Sequence, residues 1–160
     1  MSLEKKIQSM QGPILILGSS GFVGANLFRM LFSYRDDVFG TDISLPSWRL
    51  EGMPENRIIK ADLMDENTLA NLIQTIRPQT VMDCIAYGAY SFENDYERIY
   101  QTNFILTAKL LKQLENNRIT CYVHAGSSSE YGDNVAGTSE EATLAPNSHY
   151  SVSKIACANL

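Results

Sequence analysis

Three glycines after the first apolar run most constrain the fold of this 160-residue chain. The run 13–17 predicts a buried strand, and apolar residues recur at helical spacing from Val23 onwards. Gly18, Gly21 and Gly24 lie between the two. Glycines at such a turn let the backbone approach a pyrophosphate, whose charge is stabilised by the helix N-terminus. The pattern predicts a dinucleotide site, with a purely structural turn as the alternative. The predicted contacts are Gly18, Ser20, Gly21, Phe22, Val23 and Gly24.

Short apolar runs alternate with segments of helical periodicity along the rest of the chain. The pattern predicts further strands over 38–42, 57–60, 80–86 and 119–124. Helices are predicted between an N-cap at Asp65 and Pro78, over 99–114, and from about Ser148 onwards. Strands that alternate with helices and are mainly apolar are typical of a parallel sheet covered on both faces. Right-handed crossovers then predict an α/β fold with a doubly wound parallel sheet, a Rossmann fold.

Charge and composition exclude several classes of partner. The net charge of −5 and the lack of a basic run argue against nucleic acid or an anionic membrane as a partner. No apolar stretch reaches the roughly 18 residues that a transmembrane helix needs. The first residues lack the apolar core of a signal peptide, so we expect a cytoplasmic protein. The odd number of cysteines indicates buried reduced thiols rather than disulfides or a metal site, at Cys84, Cys121 and Cys157.

The chain is expected to form one domain over 13–160, preceded by a poorly ordered leader over 1–12. The segment 132–147 is 16 residues rich in Gly, Ser, Thr, Asn and Asp. Loops of this length in a compact domain are usually functional or mobile. His124 and His149 lie 25 positions apart without clustered cysteines or carboxylates, so no metal site is predicted.

Asp42 ends the second predicted strand, 18 positions beyond Gly24. A carboxylate at this position can accept hydrogen bonds from the adenosine ribose hydroxyls and would repel a 2′-phosphate. The following residues, 43–45, supply no cation for such a phosphate. The sequence therefore favours NAD over NADP, with a solvated turn aspartate as the alternative.

Tyr150 and Lys154 are four residues apart in the last predicted helix. This spacing puts both side chains on one face, about 5–6 Å apart at Cβ. An ammonium beside a phenol stabilises the phenolate, which makes a proton donor and acceptor usable near neutral pH. Tyr-x-x-x-Lys alone is a weak signal, and it gains weight from the glycine segment and from Asp42.

These motifs together resemble the extended short-chain dehydrogenases/reductases, especially the NAD-dependent epimerase/dehydratase family that acts on nucleotide sugars. The glycine spacing is similar to that family's G-x-x-G-x-x-G, and the resemblance covers about 14–154. It implies that Asp62 and Leu63 contact the adenine. It also implies that Ile85 and Ala86 run beneath the nicotinamide side of the cofactor.

The resemblance further implies a set of catalytic residues. The segment 127–132 is similar to the family's S-x-x-x-Y-G, which puts the catalytic hydroxyl at Ser127, with Ser128 as the neighbouring alternative. Asn103 matches an asparagine that helps to position the active site. Tyr150 would remove a hydroxyl proton from the sugar, and Lys154 would also bind the nicotinamide ribose. The implied activity is epimerisation or oxidation of a nucleotide sugar by hydride transfer to NAD, through a transient ketone.

One departure from the family pattern bears on the type of reaction. The 4,6-dehydratase branch carries acidic residues where this chain has Ser128 and Ser129, and Glu130 is shifted by one. Epimerase or ketoreductase chemistry is therefore preferred to dehydratase chemistry. A dehydrogenase of a non-sugar alcohol or ketone, and a non-catalytic dinucleotide-binding module, remain as alternatives.

The relatives continue beyond the helix of Tyr150 with a part that holds the sugar nucleotide. We therefore expect the chain to be the cofactor-binding portion of a longer protein, inactive alone; a degenerate short form is the alternative. The family also implies homodimerisation through the long helix over 99–114 and the helix of Tyr150.

Overall fold

A computed structural model describes residues 1–133 and 137–160. Its centre is a five-stranded parallel sheet with the strand order β3-β2-β1-β4-β5. This order, with crossover connections between parallel neighbours, confirms the predicted Rossmann-like α/β fold. The strands are β1 (Ile14–Leu17), β2 (Val38–Asp42), β3 (Ile58–Lys60), β4 (Thr80–Asp83) and β5 (Cys121–His124).

Six α-helices alternate with these strands in the described residues. They are α1 (Leu3–Gln8), α2 (Phe22–Phe32), α3 (Glu66–Ile76), α4 (Tyr96–Tyr100), α5 (Leu106–Glu115) and α6 (His149–Ala158). A π-helical segment, Gln101–Ile105, joins α4 to α5, so the predicted helix over 99–114 is helical throughout but changes its winding. None of the helices in the described residues is long and apolar enough to cross a bilayer.

The structure divides into two compact units. The first comprises Met1–Ile85 and Leu111–His124, and it contains the whole sheet. The second comprises Ala86–Leu110 and Ala125–Leu160, and it contains α4, the π-helical segment and α6.

β1 is the centre of the first unit, since it pairs with β2 on one side and β4 on the other. All four of its side chains are completely buried. Ile14 and Ile16 pack in one core cluster with Phe28 and Leu31 of α2. Burial on this scale follows from the continuous apolar run and explains why β1 is the most clearly predicted strand.

The helix caps agree with the sequence. Asp65 Oδ1 accepts a hydrogen bond from the Thr68 N–H at 2.7 Å and caps α3. Hydrogen bonding with the Thr68 side chain, and then with its N–H, lowers the pKa of Asp65. Arg77 ends α3 in the left-handed conformation directly before Pro78. Ser148 caps α6 by accepting from the Ser151 N–H at 3.1 Å.

The prediction of buried thiols is wrong for two of the three cysteines. Cys157 is buried, but Cys84 is half-buried and Cys121 is exposed, and no disulfide joins any of them in the described residues. Cys121 belongs to β5, which lies at the edge of the sheet and alternates exposed and half-buried residues. The apolar composition of 119–124 indicated a covered strand, whereas one face of this edge strand is open in the described residues.

Residues 1–12 also differ from the expected poorly ordered leader. They contain α1, and Ile7 is 3% exposed in the first unit's core cluster. The Arg35 guanidinium donates to the backbone carbonyls of Ile7 (3.0 Å) and Met10 (2.6 Å). Its other nitrogens donate to the Asp37 carboxylate at 2.8 and 2.7 Å. The N-terminal helix is thus attached through one arginine that Asp37 orients.

We predict that Asp37→Asn lowers the free energy of unfolding by about 1 kcal/mol at pH 7, the scale of a well-oriented surface pair. The hydrogen bonds from Arg35 hold the pKa of Asp37 below its ordinary value. This stabilisation is therefore complete above that ordinary value and is lost as the pH falls through the lowered one. Chemical denaturation at several pH values should show the variant and the wild type converging in acid. Asp36→Asn is the control, and an equal loss in both variants would contradict the prediction.

Candidate functional site

The turn between β1 and α2 depends on the absence of two side chains. Gly18 has φ +72°, and a Cβ there would lie 2.9 Å from the Cys84 carbonyl carbon at the end of β4. A Cβ on Gly24 would lie 2.2 Å from the Gly18 carbonyl oxygen. Both positions require glycine for the packing of strand, turn and helix.

Gly21 is glycine for a different reason. It is the N-cap of α2 with φ −69°, which any residue can adopt, and a Cβ there would have a single neighbour, the Gly18 oxygen, at 3.3 Å. Gly21 is exposed, as are Phe22 and Val23 in the first turn of α2. The open N-terminus of α2 thus forms a cradle that a side chain at Gly21 would fill, and this geometry fits a pyrophosphate.

A buried serine inside this turn was not predicted from the sequence. Ser19 is completely buried, and its hydroxyl has no hydrogen-bond partner among the described residues. A Cβ on Gly40 of β2 would lie 2.8 Å from the Ser19 Cβ. Gly40 therefore makes the space that Ser19 occupies. The glycine in the second apolar run was the available sequence signal.

Asp42 lies at the carboxyl end of β2, beside the glycine turn. Its Oδ2 accepts from the Ser20 N–H at 3.0 Å, and its Oδ1 accepts from the Ser44 N–H at 2.8 Å. Asp42 therefore fixes the turn as well as presenting a carboxylate. Because each carboxylate oxygen has two lone pairs, one acceptor site per oxygen is left for a ribose hydroxyl.

The residues predicted for the adenine lie at the next strand end. The Ala61 N–H donates to the Asp42 carbonyl at 3.1 Å, which brings the end of β3 beside that of β2. Asp62 is exposed and its Oδ1 accepts from the Met64 N–H at 3.0 Å. The exposed fraction of Leu63 is 5%, so its side chain is also part of the buried core.

A polar cluster closes the ends of β4 and β5. Asp83 is 3% exposed; its Oδ2 accepts from the Tyr122 hydroxyl at 2.8 Å and lies 3.1 Å from His124 Nδ1. Its Oδ1 accepts from the Ile85 N–H at 3.0 Å. Ile85 is half-buried, and Ala86, the first residue of the second unit, is exposed. His124 is the last residue of β5. The described residues contain no group of side chains that could hold a metal ion.

In the second unit, Asn103 is the centre of a buried hydrogen-bond network. It is 1% exposed, and its Oδ1 accepts from the Tyr87 N–H at 2.8 Å. Its Nδ2 donates to the Tyr87 carbonyl at 2.9 Å and to Ser153 Oγ of α6 at 2.8 Å. The side chain thus joins the segment after β4 to the helix that carries Tyr150.

Asn103 also contacts α6 through its backbone. It lies in the π-helical segment, where the Leu106 N–H bonds to the Gln101 carbonyl, five residues back, instead of the usual fourth. The Asn103 carbonyl accepts from Thr107 Oγ1 at 2.6 Å and from Cys157 Sγ of α6 at 2.9 Å. Helical periodicity does not predict this change of winding, so the sequence indicated the position of Asn103 but not the contacts that it makes.

Ser127 begins a short 3₁₀ helix, Ser128–Tyr131. Its Oγ accepts from the Ser129 N–H at 3.2 Å, and its own N–H donates to Glu130 Oε1 at 2.7 Å. This capping box fixes the backbone of Ser127 and binds the Glu130 carboxylate to it. The hydroxyl of Ser127 retains its proton for a further acceptor.

Tyr150 and Lys154 lie one turn apart on α6, as predicted. Tyr150 is half-buried, and Lys154 is buried with 2% exposed. His149 is the first residue of α6; its Nδ1 lies 3.0 Å from the Tyr100 hydroxyl, and its ring packs at 5.6 Å from that of Tyr96. The start of α6 is therefore held by the Ser148–Ser151 capping box and by two aromatic contacts.

The structure thus groups the predicted residues in two sets. The first unit contains the glycine turn, Asp42, Asp62, Leu63 and Ile85, at the carboxyl ends of its strands. The second contains Ala86, Asn103, Ser127, Tyr150 and Lys154. Part of the loop over 132–147, residues 134–136, lies outside the described residues.

We predict that Gly24→Ala lowers the melting temperature by several degrees, because its Cβ would overlap the Gly18 carbonyl oxygen. Gly21→Ala should lower it much less, because only one contact at 3.3 Å is tightened. Differential scanning calorimetry of both variants tests this contrast. Equal losses would contradict the steric explanation.

Comparison with known proteins is consistent with this geometry. The model of the NAD dependent epimerase/dehydratase family matches residues 14–160. The Bacillus subtilis (strain 168) protein named uncharacterized UDP-glucose epimerase YtcB is 29% identical over 153 residues, which cover 89% of this chain and 48% of that protein. The dTDP-glucose 4,6-dehydratase of Haemophilus influenzae is 28% identical over 171 residues, covering 92% and 49%.

Among solved structures, MoeE5 in complex with UDP-glucose and NAD superposes with a TM-score of 0.78 at 26% identity. The match covers 92% of this chain and 47% of MoeE5. The chain thus spans about half the length of the curated relatives it matches. Because the family model matches nearly its whole length, the chain belongs to the NAD-dependent epimerase/dehydratase family, whose cofactor is NAD.

Proposed function

We propose that the chain forms the cofactor-binding and proton-transferring part of an oxidoreductase or epimerase that acts on a nucleotide sugar. The observation that carries the proposal is that a half-buried Tyr150 and a buried Lys154 lie one turn apart on α6, whose start is held by the Ser148 capping box. The names of YtcB and MoeE5 support a UDP-sugar as the substrate class.

The first unit would hold the adenosine and pyrophosphate parts of NAD. The open N-terminus of α2 at Gly21 offers backbone N–H groups to the pyrophosphate. Asp42 has acceptor sites for the ribose hydroxyls, and it also orients Ser20 of the glycine turn by accepting from the Ser20 N–H. When bound, NAD supplies the acceptor for the hydride that leaves the sugar carbon.

Tyr150 would accept the hydroxyl proton from the same sugar carbon, which converts the alcohol to a ketone. Lys154 has little contact with solvent, so its ammonium acts on the phenolate with little dielectric screening. The dipole of α6, whose first residue precedes Tyr150, also favours negative charge at this end. Reduction of the ketone on its other face, with the proton returned by Tyr150, would complete an epimerisation.

Ser127 and Asn103 have supporting roles in this proposal. Ser127 would donate its hydroxyl proton to the reacting sugar oxygen and orient it towards Tyr150. Asn103 would position α6 through Ser153 without touching the substrate. Homodimerisation through 99–114 and α6 stays a prediction.

The capping box of Ser127 favours epimerase or reductase chemistry over dehydration. Glu130 is the acidic residue nearest to the positions that the dehydratase branch uses, and its carboxylate is bound to the Ser127 N–H. Ser128 and Ser129 have no acidic group with which to eliminate water.

We predict that Tyr150→Phe in the native protein lowers kcat for a UDP-sugar roughly 10²- to 10⁴-fold, the usual contribution of a positioned proton-transfer group. NAD binding, measured by calorimetry, should persist because the glycine turn is unaltered. Tyr34→Phe, on an exposed tyrosine after α2, is the control. Undiminished turnover by Tyr150→Phe would refute the catalytic role.

Asp42 should make the native protein select NAD over NADP by at least about tenfold in Kd, because its charge opposes a 2′-phosphate. Asp42→Asn keeps one carbonyl acceptor and removes the charge, so the preference should shrink. Titration of both proteins with both cofactors measures this ratio. Equal affinity of the wild type for NAD and NADP would remove the proposed role of Asp42.

A further inference from the structure

Two aromatic side chains in the segment after β4 are exposed side by side. The rings of Tyr90 and Phe92 are parallel within 4°, with centroids 5.3 Å apart. Tyr90 is 63% exposed and Phe92 is 76% exposed. The core of the described residues covers neither ring, so its packing does not explain why two large aromatic groups lie side by side here.

The backbone beneath the pair is nevertheless fixed. Glu93 Oε2 accepts from the Gly88 N–H at 3.0 Å and from the Tyr90 N–H at 3.2 Å. The Glu93 N–H donates to the Tyr90 carbonyl at 2.9 Å. Gly88 has φ +96°, and the Ile99 side chain occupies the place where its Cβ would lie. The rings are therefore presented on a closed turn, which reduces the entropy lost when a ligand binds.

The base of this turn is joined to the helix of the proposed proton relay. Tyr87 is held at both its N–H and its carbonyl by Asn103, and Asn103 also donates to Ser153, the residue before Lys154. The turn also follows β4, which pairs with β1 at the point where the strand order reverses. Open parallel sheets bind ligands beyond the carboxyl ends of the strands at such a point.

We propose that Tyr90 and Phe92 form a platform for the sugar ring of the substrate. The C–H-rich face of a hexose can pack on an aromatic ring, and the exposed side chains of Ser91 and Asn94 can hydrogen-bond to its hydroxyls. We expect the sugar rather than the base to contact Tyr90 and Phe92, because the reacting carbon of the sugar must reach Tyr150. This inference rests on the proposed function and adds a substrate contact in the second unit.

The test uses native protein loaded with NAD, with UDP-glucose and UDP as the two probes. The variants are Tyr90→Ala, Phe92→Ala and the double substitution. Tyr90→Phe and Phe92→Tyr keep the ring faces and serve as conservative variants, and Tyr34→Ala is the control for loss of an exposed ring. Titration gives Kd for each probe, and saturation-transfer NMR reports which protons of UDP-glucose contact the protein.

We expect each alanine variant to weaken UDP-glucose binding roughly three- to tenfold, the scale of an aromatic contact, and to reduce saturation transfer to the sugar protons. Affinity for UDP should be unchanged, and the conservative variants and the control should behave as the wild type. Unchanged UDP-glucose affinity in the double variant would overturn the proposed platform but not the proposed function. Equal losses of affinity for UDP and UDP-glucose would also overturn the platform, because they indicate a contact with the base. An altered oligomeric mass with unchanged affinity would overturn it as well, because it indicates an interface between copies. Failure of the wild type to bind UDP-glucose would instead overturn the proposed substrate class, and the platform with it.

Discussion

The approach of α2 to the end of β1 is the constraint on which the rest of the first unit depends. It is possible because no side chain stands between Gly24 and the Gly18 carbonyl oxygen. The turn is then held on both sides, since the Gly18 and Ser19 N–H groups both bond to the Thr41 carbonyl and the Leu17 carbonyl accepts from Cys84. The same contacts that close the core therefore fix the backbone around Gly21, so the candidate cofactor cradle is a consequence of the packing.

The parts of the fold that the sequence predicted are those with strong local causes. β1 is a fully apolar run, α3 has an aspartate cap at Asp65, and α6 has a serine cap at Ser148, so short stretches of chain were sufficient to locate them. β5 was misjudged because apolar composition does not tell an edge strand from a central one; that difference depends on which neighbours the topology provides. α1 was missed because Ile7 is the one buried residue of this short helix, and because the helix is attached through a backbone carbonyl that accepts from the distant Arg35.

The candidate site was predictable as a set of positions but not as a set of interactions. Glycine spacing, the strand-end Asp42 and the four-residue step from Tyr150 to Lys154 are regular features that a sequence displays. The networks are not, because they join residues distant in sequence: Asn103 meets Ser153 50 positions away. The dual role of Asp42, which orients Ser20 while it presents a carboxylate, likewise depends on the fold of the glycine turn.

The groups that hold α6 differ in kind from the group proposed to react on it. Asn103 and Ser153 are neutral at every pH at which a protein is folded, and their hydrogen bond does not change when a nearby tyrosine gains or loses a proton. The second contact that holds α6 runs from the buried Cys157 Sγ to the Asn103 carbonyl. The proton transfer proposed for Tyr150 would involve neither Asn103 nor Ser153. Asn103 thus holds α6 through both its side chain, at Ser153, and its backbone carbonyl, at Cys157.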